Sequence, residues 1–339
     1  LVNNYRNDSM KKTLIALAVL SSVAGIASAQ SNVALYGRLD AGLGKAFGGQ
    51  SQMIGNYKET SMWGVRGQED LGGGMKASFN FEQGVNIEDG ALTGGAAGAW
   101  NRAAWLAIGG GFGEFAMGRM TTAQNRTMGT FDLNGTANNT SALKNLGLDA
   151  DGSLGGNRAN SQFLYTSPNL SGFQARAAVV MKQDKAAPAA GAADTRKGSY
   201  QLAASYKTGP LSLGAVVQSK MAEGANNRTG STLGARYDFK SFLVSPLYPQ
   251  DESKTTGKGF GLGISVPLGA WVVGAQVARI TDNPNPARDG ATAYELFANY
   301  HLSKRTMMYA GYGGLNSAGK VAKGTTGSST FGMGLVHRF

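Results

Sequence analysis

Thr330-Phe331-Gly332-Met333-Gly334-Leu335-Val336-His337-Arg338-Phe339 is the stretch whose reading decides the fold. Successive side chains of a strand point to opposite faces. Read that way, Phe331, Met333, Leu335 and Phe339 share one side, with His337 between the last two. An apolar stripe of this kind, closing on a bare aromatic ring, is uncommon in soluble enzymes. It suits a strand whose outer neighbour is lipid.

The opposite end of the chain agrees. From Met10 the sequence runs Lys11-Lys12, then an apolar segment from Leu14 to about Ile26, then Ala27-Ser28-Ala29. A basic start, a short apolar run and a small-x-small site make a secretory signal peptide, expected at 10–29 with cleavage after Ala29. Residues 1–9 precede the better start at Met10 and are read as an upstream extension. The apolar run is too short for the roughly 20 residues of a membrane-spanning helix. The expectation is an exported chain whose final strand, ending at Phe339, is the assembly signal read by the barrel-assembly machinery of a bacterial outer membrane.

Composition narrows the chemistry. There is no cysteine, and only two histidines occur, so a thiolate or imidazole-rich metal centre is not expected, and neither is a cofactor. Without residues 1–29 the chain keeps 29 basic and 20 acidic residues, a formal net charge of +9. Such a surplus suits an anionic surface or an anion path. No motif supports nucleic-acid binding, and an exported chain is in the wrong compartment for it.

Strand patterning runs through the mature chain, 30–339. Val33, Leu35, Leu39 and Leu43 share a face, opposite Tyr36, Arg38 and Asp40. Met75, Ala77, Phe79 and Phe81 oppose Lys76, Ser78, Asn80 and Glu82. Phe173, Ala175, Ala177 and Val179 oppose Gln174 and Arg176. Leu233, Ala235, Tyr237 and Phe239 oppose Thr232, Arg236 and Asp238, and Tyr294, Leu296, Ala298, Tyr300 and Leu302 oppose Glu295, Asn299 and His301. Short turns near 71–74, 109–113, 167–172, 207–210, 240–241, 267–270 and 303–305 alternate with longer loops near 47–56, 86–99, 183–197, 221–227, 251–257, 282–290 and 317–327. Short turns on one side and long loops on the other, with apolar-out and polar-in strands, define a transmembrane barrel. The count is sixteen antiparallel strands. Soluble sandwiches also have many short strands, but would bury a denser Val/Ile/Leu core than these Gly- and Ala-studded faces provide.

One connection breaks the rhythm: residues 120–157, rich in Asn, Thr and Gly. Loops this long are uncommon inside a domain and usually functional. The surrounding motifs carry a resemblance. Val33-Ala34-Leu35-Tyr36-Gly37-Arg38-Leu39-Asp40 is similar to the first strand of the trimeric general porins of Gram-negative outer membranes, in their beta-proteobacterial branch. Trp63-Gly64-Val65-Arg66-Gly67-Gln68-Glu69-Asp70-Leu71-Gly72-Gly73-Gly74 resembles the second strand and turn. Gly110-Gly111-Phe112-Gly113-Glu114-Phe115-Ala116-Met117-Gly118-Arg119 resembles the strand leading into the third loop, and Arg158-Ala159-Asn160-Ser161-Gln162-Phe163-Leu164-Tyr165-Thr166-Ser167-Pro168 resembles the next.

The resemblance implies an all-β, 16-stranded antiparallel transmembrane β-barrel, with 120–157 folded into the lumen as the constriction. It implies a homotrimer embedded in outer-membrane lipid and lipopolysaccharide, and passive passage of small anions and polar solutes without chemical change. Strand parity puts Arg38, Arg66, Arg102, Arg158 and Arg176 on the inner wall. Arg119, Arg126 and Asp132 belong to the loop and its mouth, with Asp132 expected opposite the arginines; Asp40 and Glu114 are expected as acidic groups of the lumen. Arginine rings favour anions, so several arginines against few carboxylates predict anion preference. Two departures from the family stand out: Met62 where a basic residue is frequent, and Phe131-Asp132-Leu133 in place of a fuller acidic-aromatic cluster. A channel specific for a sugar or for an organic or phosphate anion is the alternative. An outer-membrane hydrolase lacks a convincing Ser-His neighbourhood.

Overall fold

A computed structural model describes residues 32–94, 98–148, 157–182, 198–219, 230–240, 242–250 and 257–339. The expected signal peptide and upstream extension lie outside the described residues, as do 183–197 and 221–227. In chain order the strands are β1 (Asn32–Lys45), β2 (Gln52–Gly55), β3 (Met62–Gly72), β4 (Met75–Gly84), β5 (Ala103–Gly110), β6 (Gly113–Thr121), β7 (Arg158–Thr166), β8 (Phe173–Val180) and β9 (Ser199–Thr208). They continue as β10 (Leu211–Gln218), β11 (Gly230–Asp238), β12 (Leu243–Gln250), β13 (Lys258–Leu268), β14 (Trp271–Asp282), β15 (Thr292–His301), β16 (Thr306–Leu315) and β17 (Ser329–Arg338). The short β2 pairs only with the upper part of β1. The other sixteen pair antiparallel with their neighbours, and β17 returns to β1 to close the barrel.

Closure is staggered. Arg38 faces Arg338 and Lys45 faces Phe331, and Gly37 and Phe339 exchange backbone hydrogen bonds of 3.1 and 3.0 Å. The first residues of β1 therefore run past the end of β17, and Arg338 comes level with the middle of the wall. Gly37 is needed here. A Cβ on it would lie 2.4 Å from Cζ of Phe339, whose ring covers that spot.

The barrel is apolar outside and polar inside. Leu35 is 66% exposed and Leu233 60%, while Asp40, Gln162 and Glu295 have no exposure. Lipid, not protein, covers the outer stripe, which is why sequence alternation survives along each strand. Aromatic rings collect beside the short turns: Trp271 with Tyr300 at 4.7 Å, Tyr237 with Phe239 at 4.5 Å, and Phe115 with Tyr165 at 4.7 Å. Such rings suit a membrane–water boundary, with an apolar body and a wet tip. Among the described residues no helix is long and apolar enough to cross a membrane; strands do the crossing.

Two of the long connections carry secondary structure of their own. Residues 47–56 contain β2. The 317–327 connection holds helix α3 (Ser317–Lys323), which is begun by the Asn316 side chain accepting from Gly319 N and closed by Gly324 at φ 71°. Both ends satisfy helix groups that would otherwise lack partners.

The third long connection enters the lumen. At its start β6 and β7 slip register between Gly118 and Met120, with Gly118 at φ 129° and Ser161 at φ 46°. A bulge of this sort bends a strand and re-aims the chain beyond it. Next come helix α1 (Ala123–Met128), a 3₁₀ turn (Gly129–Phe131) and helix α2 (Ala142–Asn145). Helix α1 packs on β8, β9 and β10, the 3₁₀ turn on β11 and β12, and α2 on β14 and β15. The larger of two buried apolar clusters among the described residues lies at this seam, where Met120, Met128, Phe131, Leu143 and Leu148 meet Leu164, Val216, Ala278 and Ile280.

Candidate functional site

Glycine on the inner wall makes room for the loop. Gly214 and Gly234 are direct partners across β10 and β11, and the Phe131 ring lies over both; a Cβ on either would come within 2.6 Å of it. Leu143 rests in the same way on Gly261. Beyond this apolar seat the loop is tied by buried polar groups. Asp132 accepts from Asn134 N (3.0 Å), Gln276 Nε2 (3.1 Å) and the Ser141 hydroxyl. Glu295 on β15 accepts from Gln276 Nε2 at 2.8 Å and from Asn134 and Thr140. Gln276 thus bridges a loop carboxylate to a wall carboxylate.

A second inward segment, 56–61, is organised by Asp40. Its carboxylate accepts from Lys58 N (2.7 Å), Glu59 N (2.6 Å) and Tyr309 Oη (2.7 Å). Lys58 is thereby turned inward, and its ammonium donates to the Asn134 carbonyl at 3.1 Å and to the Asn134 side chain. Burial pulls the Lys58 pKa below its ordinary value, opposed by the charges of Glu295, Glu59, Asp132 and Asp40.

The loop does not fill the barrel. Between it and the wall formed by β1, Arg102 just before β5, the start of β7 and the end of β17 lies a polar opening of about 320 Å³. Its basic lining groups are Arg38, Lys58, Arg102, Lys144, Arg158 and Arg338; Glu59 is the acidic one. Arg38 donates Nε to the Thr60 carbonyl at 2.9 Å and meets Glu59 at 3.2 Å. Arg338 also binds Glu59. Arg102 pairs with Glu82, and Arg158 donates Nε to the Arg102 carbonyl at 2.9 Å. Lys144 reaches Asn138 Oδ1 at 3.0 Å.

The structure sorts the residues expected from sequence. Arg38, Arg102 and Arg158 meet at the opening. Arg66 is on the inner wall but away from that lining, 4.9 Å over the Tyr36 ring. Arg176 also points inward, yet meets Thr127 of α1 at 3.1 Å. Arg126 is held by Thr121 Oγ1 at 3.0 Å; burial lowers its pKa and the Glu114 charge opposes this. Three expectations need correction. Asp132 does not face the arginines, because loop docking consumes its carboxylate. Asp40 is not a lumenal charge, because two backbone N–H groups and a hydroxyl enclose it. Arg119 pairs with Ala104 across β5, on the register side of Met117. It is fastened to the Asn101 carbonyl and Asn160, both at 2.6 Å, outside the opening's lining. Glu114 stays on inner parity near Arg126, away from the opening.

Lys58, Glu59, Arg338 and Glu295 were missed as site residues, while Lys144, a basic residue of the loop whose direction the sequence left open, lines the opening. For Arg338 the signal was its inner parity beside Phe339. Lys58 and Glu59 carried none, since their placement depends on a carboxylate eighteen residues earlier in the chain.

A closed transmembrane barrel, with a loop folded into its lumen beside a charged opening, has the architecture of a diffusion channel. The family profile for Gram-negative porins matches residues 16–320. Outer membrane porin protein 32 of Delftia acidovorans is 33% identical over 318 residues, 88% of this chain and 88% of that protein. An outer membrane porin protein of Bordetella pertussis is 27% identical, spanning 97% of this chain and 100% of its own length. Among solved structures, an anion-selective porin from Comamonas acidovorans superposes with a TM-score of 0.70 at 26% identity, covering 91% of this chain and 100% of that one. OmpT of Vibrio cholerae shares the fold, with a TM-score of 0.63 at 15% identity. The chain belongs to the Gram-negative porin family. It is an integral outer-membrane protein and works as a general porin.

Proposed function

We propose that the opening between loop and wall is the narrowest part of the pore and that it prefers anions, admitting small hydrated anions and polar solutes down their gradients. The observation that carries this is the convergence of Arg38, Lys58, Arg102, Lys144, Arg158 and Arg338 on an opening lined by one carboxylate, Glu59. Arginines stay charged at any physiological pH, and a low-dielectric wall focuses their field along the ion path. The anion-selective porin of similar structure is consistent with this reading. The same reading includes a homotrimer, outer-membrane lipid and lipopolysaccharide against the apolar face, and delivery by the barrel-assembly machinery.

The test is a planar-bilayer measurement of reversal potential across a KCl gradient. Chloride preference is expected, and Arg102→Gln should lower the chloride-to-potassium permeability ratio about twofold. That is the effect on both ions of one charge roughly 8 Å from the ion path at water-like dielectric, screened by about 0.1 M salt. A cation preference in the parent protein would overturn the proposal. Saturable current inhibition by one sugar or one phosphate-type anion would favour a solute-specific channel instead.

A further inference from the structure

Glu82 stands outside the lining of the opening, immediately behind it, and its charge takes no part in docking the loop. It lies on the inner face of β4, level with Gly64 on one side and Ala103 on the other. Oε1 accepts from Arg102 Nε at 2.5 Å and sits 4.0 Å from Arg158 Nη2. Oε2 is 3.0 Å from the Tyr36 hydroxyl, which is also 2.8 Å from the side-chain oxygen position of Asn80. A phenol has one proton to donate. Both contacts are satisfied when the Asn80 amide is turned so that its N–H₂ donates to Tyr36, which then donates to Glu82. Tyr36 reaches across Gly64 to do this; a Cβ there would be 2.9 Å from its Cζ. The carboxylate is therefore fixed from one side by the neutral Tyr36 hydroxyl, itself held by Asn80, and its charge is directed at the guanidiniums.

We propose that Glu82 is a selectivity-setting residue of the pore: it positions Arg102 through Nε, leaves the outer guanidinium nitrogens toward the opening, and offsets one positive charge there. It acts through the arginines and does not itself line the path. With Glu59 and Glu82 counted against the six basic groups, the formal charge around the opening is +4; removing Glu82 raises it to +5. Such an offset lets anions be drawn in and still leave, because conduction requires binding weak enough for exit. The inference rests on the proposed anion preference.

Glu82→Gln keeps the shape and the acceptor for Arg102 but removes the charge. At 0.1 M KCl its chloride-to-potassium permeability ratio should rise about twofold, the screened effect on both ions of one charge roughly 8 Å away. At 1 M KCl, where the Debye length is about 3 Å, the difference from parent should shrink toward nothing. A change that merely reshaped the pore would persist at high salt. Arg102→Gln, measured alongside, separates the two readings. If Arg102→Gln lowers the ratio while Glu82→Gln, folded as judged by heat-modifiable electrophoretic mobility, leaves it unchanged, the role of Glu82 is refuted and anion selection by the opening survives. If neither variant moves the ratio, both proposals fall. A rise in Glu82→Gln of the same size at 1 M salt also refutes the electrostatic role.

Discussion

Valine at position 234 is the most direct probe of how the loop is seated. A Cβ on Gly234 would lie 2.6 Å from Cδ2 and 2.8 Å from Cγ of Phe131. Ordinary carbon contacts are about 3.5–4.0 Å, so the ring must withdraw by about 1 Å. It cannot slide toward β10, because Gly214, the partner of Gly234, is equally close to the ring. Overpacking of this kind costs about 1–3 kcal/mol. At tenfold per 1.4 kcal/mol, the ratio of docked to undocked loop falls roughly five- to 150-fold. The wall itself is not weakened, since valine suits a strand better than glycine.

Gly234→Val should therefore assemble normally but show noisier single-channel current, with excursions to higher conductance, and faster sugar entry in liposome swelling. Removing the ring as well, in Gly234→Val with Phe131→Ala, leaves room for the new methyl groups and should quieten the current relative to the single variant. A Gly234→Val pore with the parent's conductance, noise and swelling rate would refute the seating of Phe131 as the control on the opening.

Asp40→Asn removes the charge that gathers the N–H groups of Lys58 and Glu59; charge-assisted hydrogen bonds contribute about 1.5–3 kcal/mol each to holding such a turn. The expected result is a loosened 56–61 segment, read as faster backbone hydrogen exchange there with the barrel's exchange unchanged; unaltered exchange at 58 and 59 would count against it. Lys58 makes a pH prediction. Its folded pKa lies below the ordinary 10.5, so between the two values the unfolded chain binds more protons and stability rises with pH. The burial penalty is complete below the folded value and gone above 10.5. Raising pH from 8 toward 10.5 should increase the parent's thermal midpoint relative to Lys58→Met, and a constant difference would show that the ammonium is not buried as described.

Much of the wall was readable residue by residue. Each strand alternates because lipid covers one face and water the other, and this contrast acts on single side chains without reference to distant partners. Leu35, Phe81 and Leu296 could therefore be assigned outward from local pattern, and the alternation of short and long links yielded sixteen barrel strands. The length of 120–157 marked it as special, and inner parity brought forward Arg38 and Arg158. Arg102 reaches the opening against the parity expected of it, since Ala103 and Trp105, read as lipid-facing, are level with the inward Glu82 and Asn80.

The sequence by itself determined which side chains face inward and roughly how many strands enclose them, because strand periodicity is a local property. Which inward charges stand free in the opening was decided only by the tertiary structure. Asp40 and Asp132 have the chemistry of pore acids, yet both are enclosed by groups that folding brings together: the turn at 58–59 for one, Gln276 and Ser141 for the other. Arg119, read as part of the loop's mouth, shares the outer register side of Met117 and is tied to Asn101 and Asn160. Arg338 reached the level of Arg38 through the stagger at which β17 meets β1. Registers, bulges and loop docking are set by contacts between residues far apart in the chain, and those contacts determine where charge is cancelled and where it is left facing the ion path.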